Sequence, residues 1–558
     1  MCMTDVMNSN EWSDERFEDF VSSTQRMHAS FDARKNKMKS ESSEDNEESA
    51  RQSQVVQLIE YIAGNSDITL FHDEQKNACL RLPVDSHFET WACESSSFRH
   101  WFSKSFYDST GKVLTQNSLA GALQVIQGKA IFDGQEIQLG TRITRQGDDI
   151  WYDLADREWR AVRITTTGWK VESEVPIIFR RHSYQAPQVE PVSGGNIRDI
   201  LKFVNIKRDD HQLLFLVTLC CLFVSDIPHP ILYPHGPQGA AKTGLTKTIR
   251  RLIDPSRVEI LSLPRNVEEL KQQLAHYYFL AFDNVSYVSD EVSDLLCQAV
   301  TGSGFSKRRL YTDDDDVIRL IRANISINGI SIAGTKPDFL ERCVLIELER
   351  IEKEKRRQEH ELAEELQSDL PKLLGSIFYV ISRALAIKPT IKLKTSPRMA
   401  DFATWGAAIA EAMGYSRDEF LSAYWRNINA QNDEVLSDNP TAVLVQAFME
   451  DRQDWTGTAT ELLDLLGRIA GSNHLDPKDL PRSANKLSVE LNRLKTSLEE
   501  GGFSIHKSEG TKRIITITKA PANTASIVMP QVTEVTPNDD TDDTFGTIGK
   551  IEQEDLPF

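Results

Sequence analysis

The stretch Gly236-Pro237-Gln238-Gly239-Ala240-Ala241-Lys242-Thr243 combines residue types and spacing that can do chemistry on a phosphate. Small residues let backbone N–H groups close round the anion, Lys242 can reach the β- and γ-phosphates, and the Thr243 hydroxyl can sit on Mg²⁺. An apolar run, Ile231-Leu232-Tyr233, precedes the stretch, and a helix-compatible run follows from Gly244 to Ile253. The new helix therefore points its positive end at the anion. Ala241 stands where a second glycine is usual in such a P-loop, and alanine serves there if the backbone angle stays accessible. The same residues also read as a Gly-rich turn between a strand and a helix. On the P-loop reading, ATP is held by Gly236, Gly239, Ala240, Ala241, Lys242, Thr243 and Gly244.

Downstream spacing narrows the class. The run His276-Tyr277-Tyr278-Phe279-Leu280-Ala281-Phe282 reads as a buried strand that delivers Asp283 to its C-terminal end, where an acidic ligand would hold the Mg²⁺ of the nucleotide. A further strand, Ile325-Ser326-Ile327, ends in Asn328, an amide suited to orient an attacking water. The run Pro337-Asp338-Phe339-Leu340-Glu341-Arg342 then places an arginine before another apolar strand, Cys343–Leu348. An arginine there can stabilise transition-state charge on a neighbouring subunit's nucleotide. Each residue has a plainer reading: Asp283 as a loop cap, Asn328 as a turn residue before Gly329, and Arg342 as a partner of Asp338 or Glu341.

The order of strand and P-loop, Asp strand, Asn strand and Arg resembles the AAA+ ATPases. It is more similar to superfamily 3 helicases and to the ATPase half of phage and plasmid primase-helicases. The blocks Asp283-Asn284-Val285-Ser286, Thr301-Gly302-Ser303-Gly304-Phe305, Arg309-Leu310-Tyr311-Thr312-Asp313 and Asn328-Gly329-Ile330 resemble the signatures of a bacterial and mobile-element ATP-binding family of that kind. The resemblance spans about residues 65–430, with its motifs concentrated between 230 and 350. It implies Lys242 and Thr243 on phosphate and Mg²⁺, Asp283 on Mg²⁺, Asn328 as polar sensor and Arg342 as a finger acting in trans. Asn284 departs from the pattern: many such ATPases carry a glutamate there as catalytic base, and an amide cannot take the proton. Either hydrolysis is slow or another acid, with Asp290 and Glu291 nearest in sequence, activates the water.

The resemblance also implies a hairpin between Asp283 and Asn328 that grips single-stranded DNA in the channel of a ring. Lys307, Arg308 and Arg309 would contact phosphates, each contact being salt-sensitive. The three bases can equally balance Asp313 to Asp316 across the same turn.

The elements that must position these residues can be read from composition and pattern. At 558 residues, 40% apolar and 26% charged, the chain has room for roughly three or four domains. The expected class is multidomain: an α+β N-terminal domain at 53–184, an α/β P-loop AAA+ core with flanking helices at 196–426, and a winged helix at 440–519. Acidic, disordered termini are expected at 1–52 and 520–558, where too few apolar residues stand to build a core. Gln185 to Gly195 is rich in Pro and Gly and reads as a linker. Three helices, the third running from Ala484 to Leu498, and two strands, Phe503–Lys507 and Arg513–Thr518, make the winged helix. Lys478 to Lys519 carries nine Lys/Arg against five acids. Its third helix would read DNA through Lys486, Asn492, Arg493 and Lys495, with Lys507, Lys512 and Arg513 along the wing. Such modules also bind proteins.

The net charge of −19 argues against a protein that coats nucleic acid over its whole surface, though not against local basic grooves. Seven cysteines without a Cys-x-x-Cys pair read as reduced thiols rather than a zinc site. No run approaches the ~20 uninterrupted apolar residues of a membrane span, and the first residues lack the apolar core of a secretory signal, so a cytoplasmic location without membrane partners is expected. The end, Glu552-Gln553-Glu554-Asp555-Leu556-Pro557-Phe558, is similar to the acidic tip of bacterial single-strand-binding proteins and would dock replication or repair partners through Leu556-Pro557-Phe558. The function expected is an ATP-driven nucleic-acid motor working as a homo-oligomeric ring on single- or double-stranded DNA. The alternative is an ATP-gated DNA-binding switch with slow or no hydrolysis. A P-loop kinase or small-molecule enzyme is disfavoured by Asn328, Arg342 and the winged helix.

Overall fold

The computed structural model describes residues 54–85, 87–308, 316–333, 336–473, 475–508 and 513–519. These fall into two compact units, one formed by the chain up to 142 with 155–161 and 172–181, the other by 143–154, 162–171 and the chain from 182 onward.

In the first unit, helix α1 (Gln54–Ala63) precedes strands β1 (Thr69–His72), β2 (Ala78–Val84) and β3 (His87–Ala92). Helices α2 (Ser96–Thr110) and α3 (Gln116–Phe132) and the short strand β4 (Gln135–Glu136) follow. The sheet order is β3-β2-β1-β4. Ser95 and Thr115 cap α2 and α3 by accepting the backbone N–H three residues further on, that of Phe98 and Ser118 respectively. Phe98, Phe102 and Phe106 recur every four residues on α2, and this stripe is fully buried against Leu58, Ile62 and Ile126.

The second unit begins with the sheet β5 (Ile143–Gln146), β6 (Asp149–Asp153), β7 (Ala161–Thr165) and β8 (Gly168–Glu172), in that spatial order. These strands lie inside the stretch expected as the N-terminal domain, 53–184, yet residues 143–154 and 162–171 pack with the second unit. Aromatic burial explains this. The Tyr152 ring lies 5.7 Å from Phe223 and 5.4 Å from Phe378, and Trp169 lies 5.9 Å from Phe378.

Helix α4 (Asp209–Cys221) follows a 3₁₀ turn at Ile197–Phe203. Then come β9 (Ile231–His235), α5 (Lys242–Ile253), α6 (Val267–His276), β10 (Phe279–Phe282) and α7 (Asp290–Thr301). Strands β11 (Ser303–Arg308) and β12 (Asp316–Ile321) pair antiparallel as a hairpin. Next are β13 (Asn324–Ile327), α8 (Pro337–Leu340) and β14 (Cys343–Glu347). The central sheet is parallel with order β10-β13-β9-β14, and a bridge from Leu261 to Phe282 extends its β10 edge. Its strands are buried throughout, apart from residues at the ends of β9 and β14, as a sheet covered on both faces requires.

Helices α9 (Glu359–Ile387), α10 (Ala400–Ala412) and α11 (Arg417–Asp438) pack against α4 and β14. Among the described residues one helix, Glu359–Thr390, is long and apolar enough to cross a membrane, and 67% of that window is buried inside the protein. The C-terminal part comprises α12 (Pro440–Met449), β15 (Asp454–Thr458), α13 (Ala459–Ala470), α14 (Ala484–Arg493), α15 (Lys495–Glu500), β16 (Phe503–Lys507) and β17 (Ile514–Lys519). Its sheet order is β15-β17-β16, so a third strand precedes the two read from the sequence. The Thr458–Glu461 capping box at α13 is present in both directions, and Ser483 caps α14. The third helix is split at Leu494 into α14 and α15.

The Pro/Gly-rich stretch after Gln185 runs along α9. Val192 N–H donates to the Pro371 carbonyl at 2.8 Å. A Cβ on Gly375 would collide with the Val192 carbonyl oxygen, and one on Gly195 with that of Lys372. Gly375→Leu should therefore force α9 and this segment apart, with a loss of about 1–3 kcal/mol. Chemical denaturation of the purified protein checks this, and wild-type stability in the variant would show that the two segments do not pack closely.

Candidate nucleotide site

The parallel register brings the site together. Phe282 lies opposite Ile327 across β10 and β13, so the next residues, Asp283 and Asn328, leave the sheet side by side. Asn328 Nδ2 donates to Asp283 Oδ1 at 2.8 Å, and Thr243 Oγ1 donates to the same oxygen at 2.8 Å. Asn328 also donates to Thr246 Oγ1 at 3.0 Å and accepts the Asn284 N–H at 3.0 Å. Asn328 is 1% exposed, and all of its amide is engaged in joining three segments.

The loop Gly236–Ala241 leaves β9 between β13 and β14. Ala241 has φ 64° and ψ 31°, in the left-handed region, and starts α5. That angle is the reason glycine is common at this position, and alanine there costs about 1–2 kcal/mol. Gly236 at φ 144° passes so close to Leu348 that a Cβ would strike its carbonyl oxygen. Lys242 Nζ donates to the carbonyls of Gly236 at 2.6 Å and Pro237 at 2.9 Å, across the mouth of the loop. Burial pulls its ammonium below the ordinary lysine value, against the opposing pull of the Asp283 carboxylate.

Asn284 also has a positive φ, 53°. Asparagine tolerates this region better than glutamate does, so its place here has a backbone reason. Asp290 begins α7 and pairs with Lys336, at 3.7 Å. A cleft of about 800 Å³ opens beside Asp283 and Asn284, walled by Leu263, Arg265 and Tyr287.

The Thr243 hydroxyl and the Asp283 carboxylate present two hard oxygen ligands beside an ammonium and a helix N-terminus. That donor set suits Mg²⁺, which takes one or two protein oxygens and completes its octahedron with phosphate and water. Among the described residues no group of three or more His, Cys, Asp or Glu could hold a metal.

Arg342 lies away from this cluster. Its Nη1 donates to the Asp338 carbonyl at 2.7 Å and meets the Asp338 carboxylate at 2.8 Å, and the side chain is 12% exposed. Asp338 is shared with Arg398, which also holds Glu341. Burial opposes ionisation of Asp338, but the two arginines outweigh it and hold the carboxyl below its ordinary range.

The residues singled out for nucleic acid are spread over two regions. Lys307 and Arg308 sit on β11 of the hairpin, and Arg309 lies outside the described residues. Lys486 and Arg493 are exposed on α14 and border a cleft of about 910 Å³ whose far wall carries Asp290, Asp338, Glu341 and Arg398. Lys495 pairs with Glu499 at 3.7 Å, and Arg513 is exposed. Lys507, expected along the wing, ties β16 to α14 by donating to the Ser488 carbonyl and Asn492 Oδ1, each at 2.6 Å. Lys512 and the terminal Leu556-Pro557-Phe558 lie outside the described residues.

Sequence reading overlooked Thr246, Asn205 and Arg356. Thr246 follows Lys242 by one helical turn and was open to that inference. Asn205 precedes the motifs, and its Nδ2 donates to the carbonyls of Ala240 at 3.3 Å and Glu349 at 2.6 Å.

Residues 197–434 match the family described as the actinomycete integrative conjugative element replication protein, and residues 441–532 match the C-terminal domain of the same family. Both segments are thus similar to that replication-protein family. No curated protein matches the chain. Among solved structures, the C-terminal region of NrS-1 is 14% identical, covering 84% of this chain and 100% of its own, with a TM-score of 0.38. A JCV helicase is 12% identical, covering 40% of this chain and 66% of its own, with a TM-score of 0.25.

Asn328→Ala should leave Thr246 short of a partner in a buried place, and half-buried Asp283 and the Asn284 N–H each short of one beside it. A loss of about 1–3 kcal/mol is expected, as for other buried unsatisfied groups. Thermal unfolding in the absence of nucleotide measures it, and an unchanged midpoint would show that the three segments are held otherwise.

Proposed function

We propose that this protein is an ATP-driven nucleic-acid motor, a replicative DNA helicase of a mobile element with an AAA+ P-loop core. The observation that carries the reading is the meeting of the Thr243 hydroxyl and the Asn328 amide on Asp283 Oδ1, beside the Gly236–Ala241 loop and Lys242. Gly236, Gly239, Ala240, Ala241 and Gly244 would cradle the phosphates through their backbone N–H groups. Lys242 would turn from the loop carbonyls to the phosphates, and Thr243 and Asp283 would hold Mg²⁺. When bound, the ion neutralises charge developing on the transferred phosphoryl group. Asn328 would hold Asp283 in place beside the γ-phosphate.

Arg342 would serve a neighbouring subunit in a ring, exchanging Asp338 for the nucleotide's phosphate. Arg398 remains as a partner for Asp338 when Arg342 leaves. The C-terminal segment 440–519, with helices α12 to α15 and a three-stranded sheet, is read as a winged helix. Its exposed Lys486 and Arg493, with Lys495, Lys512 and Arg513, would contact DNA, and Lys307, Arg308 and Arg309 of the hairpin would contact a single strand. Leu556-Pro557-Phe558 would recruit a replication or repair partner.

The second reading, an ATP-gated DNA-binding switch, is favoured by one observation. Asn284 stands at the position of the usual base, and its backbone is fixed at a positive φ by the bond to Asn328. ATPase turnover with and without single-stranded DNA, combined with strand displacement and mass measurement, separates the two. DNA-stimulated turnover with strand separation supports the motor, whereas ATP-dependent assembly with turnover indifferent to DNA supports the switch.

Lys242→Ala should abolish nucleotide binding, and full ATPase activity in that variant would sink the P-loop assignment. Arg342→Ala should bind ATP normally yet lose turnover by about 10³-fold or more. Mixing it with Lys242→Ala subunits should restore part of the rate, since the latter supply the missing arginine. Wild-type turnover by Arg342→Ala alone would remove the trans-acting role.

A further inference from the structure

The chain does not leave the phosphate-binding loop when β14 ends. Leu348 N–H donates to the His235 carbonyl at 2.8 Å, and Ile351 N–H donates to the Gly239 carbonyl at 3.1 Å. Asn205 bridges the same two segments through Ala240 and Glu349. The basic run Lys353-Glu354-Lys355-Arg356-Arg357 is thereby folded back over the loop. Two of its cations are neutralised locally, Lys355 by Glu352 and Arg357 by Glu365.

Arg356 is not. It is exposed, its Nε donates to the Ile351 carbonyl at 3.4 Å, and among the described residues no carboxylate lies within ion-pair distance of it. Its Nη2 stands 3.0 Å from the position a Cβ would take on Gly239. A guanidinium with spare donors thus hangs over the glycine of the loop, supplied by the same chain that supplies Lys242.

The sheet order says which part of a nucleotide this cation can meet. Strand β9 lies between β13 and β14. Asp283, Asn328 and Thr243 gather on the β10–β13 flank of the loop, and this is the Mg²⁺ and γ-phosphate end. Arg356 arrives from beyond β14, on the opposite flank. A nucleotide seated on the loop with its γ-phosphate toward Asp283 leaves its α-phosphate to the β14 side.

We propose that Arg356 binds the α-phosphate of the nucleotide held by its own subunit's loop, a contact separate from those of Lys242 and Arg342. It rests on the nucleotide-binding reading above. Guanidinium and phosphate make charge-assisted, often bidentate hydrogen bonds, which an ammonium reproduces only in part. The contact exists equally with ATP and ADP, because both carry the α-phosphate.

The test measures dissociation constants of fluorescent ATP and ADP analogues for the full-length protein, Arg356→Ala, Arg356→Lys and Lys242→Ala, with thermal midpoints taken without nucleotide. Arg356→Ala is expected to weaken ATP and ADP by the same factor, about tenfold or more. Arg356→Lys should recover part of that loss, and both variants should keep the wild-type midpoint. A loss confined to ATP would put Arg356 at the γ-phosphate and overturn the proposal. A loss accompanied by a lowered midpoint and not relieved by lysine would make Arg356 a mere brace of the loop, overturning it likewise. Unchanged affinity in Arg356→Ala, with binding abolished in Lys242→Ala, overturns the proposal alone. A wild-type chain that binds neither nucleotide overturns the nucleotide reading and the proposal with it.

Discussion

One carboxylate oxygen, Asp283 Oδ1, joins three segments that are far apart in sequence. The hydroxyl that starts α5 and the amide that follows β13 both donate to it. This convergence depends on the register of β10 against β13, which sets Asp283 beside Asn328, and on β9 running next to β13. The register in turn depends on burial: every residue of β10 and β13 is buried, so neither strand can slip without exposing apolar surface. The polar cluster at the strand ends is thus a consequence of an apolar sheet. Its stability comes from below, through Phe279–Phe282 and Ile325–Ile327, and its chemistry is left at the rim.

Around this cluster the backbone takes angles that ordinary residues avoid. Ala241 and Asn284 both have positive φ, on either side of Asp283 and Thr243. Such strain persists only where the surroundings over-determine it. Here they do: Asn328 holds the Asn284 N–H, and the Gly239–Ala240 turn is held by Ile351 and Asn205. The segment after β14 therefore acts as a rail for the loop. It carries a run of basic residues, and that places cationic charge over the loop without any contribution from another subunit.

Much of the central architecture was legible in the residues themselves. The strand runs at 231–233, 279–282, 325–327 and 343–348 are short and apolar, and a buried parallel strand leaves little else for such a run to be. The caps at Thr458 and Ser483 are likewise local, since an N-cap is an interaction between neighbours in sequence. Longer-range facts were not legible. The strands at 143–171 pack with the second unit because Tyr152 and Trp169 find Phe378, more than 200 residues further on, and no local pattern announces that. The Pro/Gly-rich stretch after Gln185 has linker composition, yet its glycine at 195 serves close approach to α9 rather than flexibility. Lys507 belongs to a basic module, but its ammonium is consumed in tying a strand to a helix.

The sequence alone determined which groups are available for chemistry: a small-residue loop ending in Lys242 and Thr243, Asp283 and Asn328 at strand ends, and Arg342 before the last strand of the sheet. These follow from residue type and local period. Tertiary structure decided which of them meet. It joined Asp283, Asn328 and Thr243 on one oxygen, kept Arg342 apart on Asp338, and brought Arg356 over Gly239 from beyond β14. The reason is that strand order in a parallel sheet is set by the burial of whole strands and their connections, and nothing within a single strand records its neighbours.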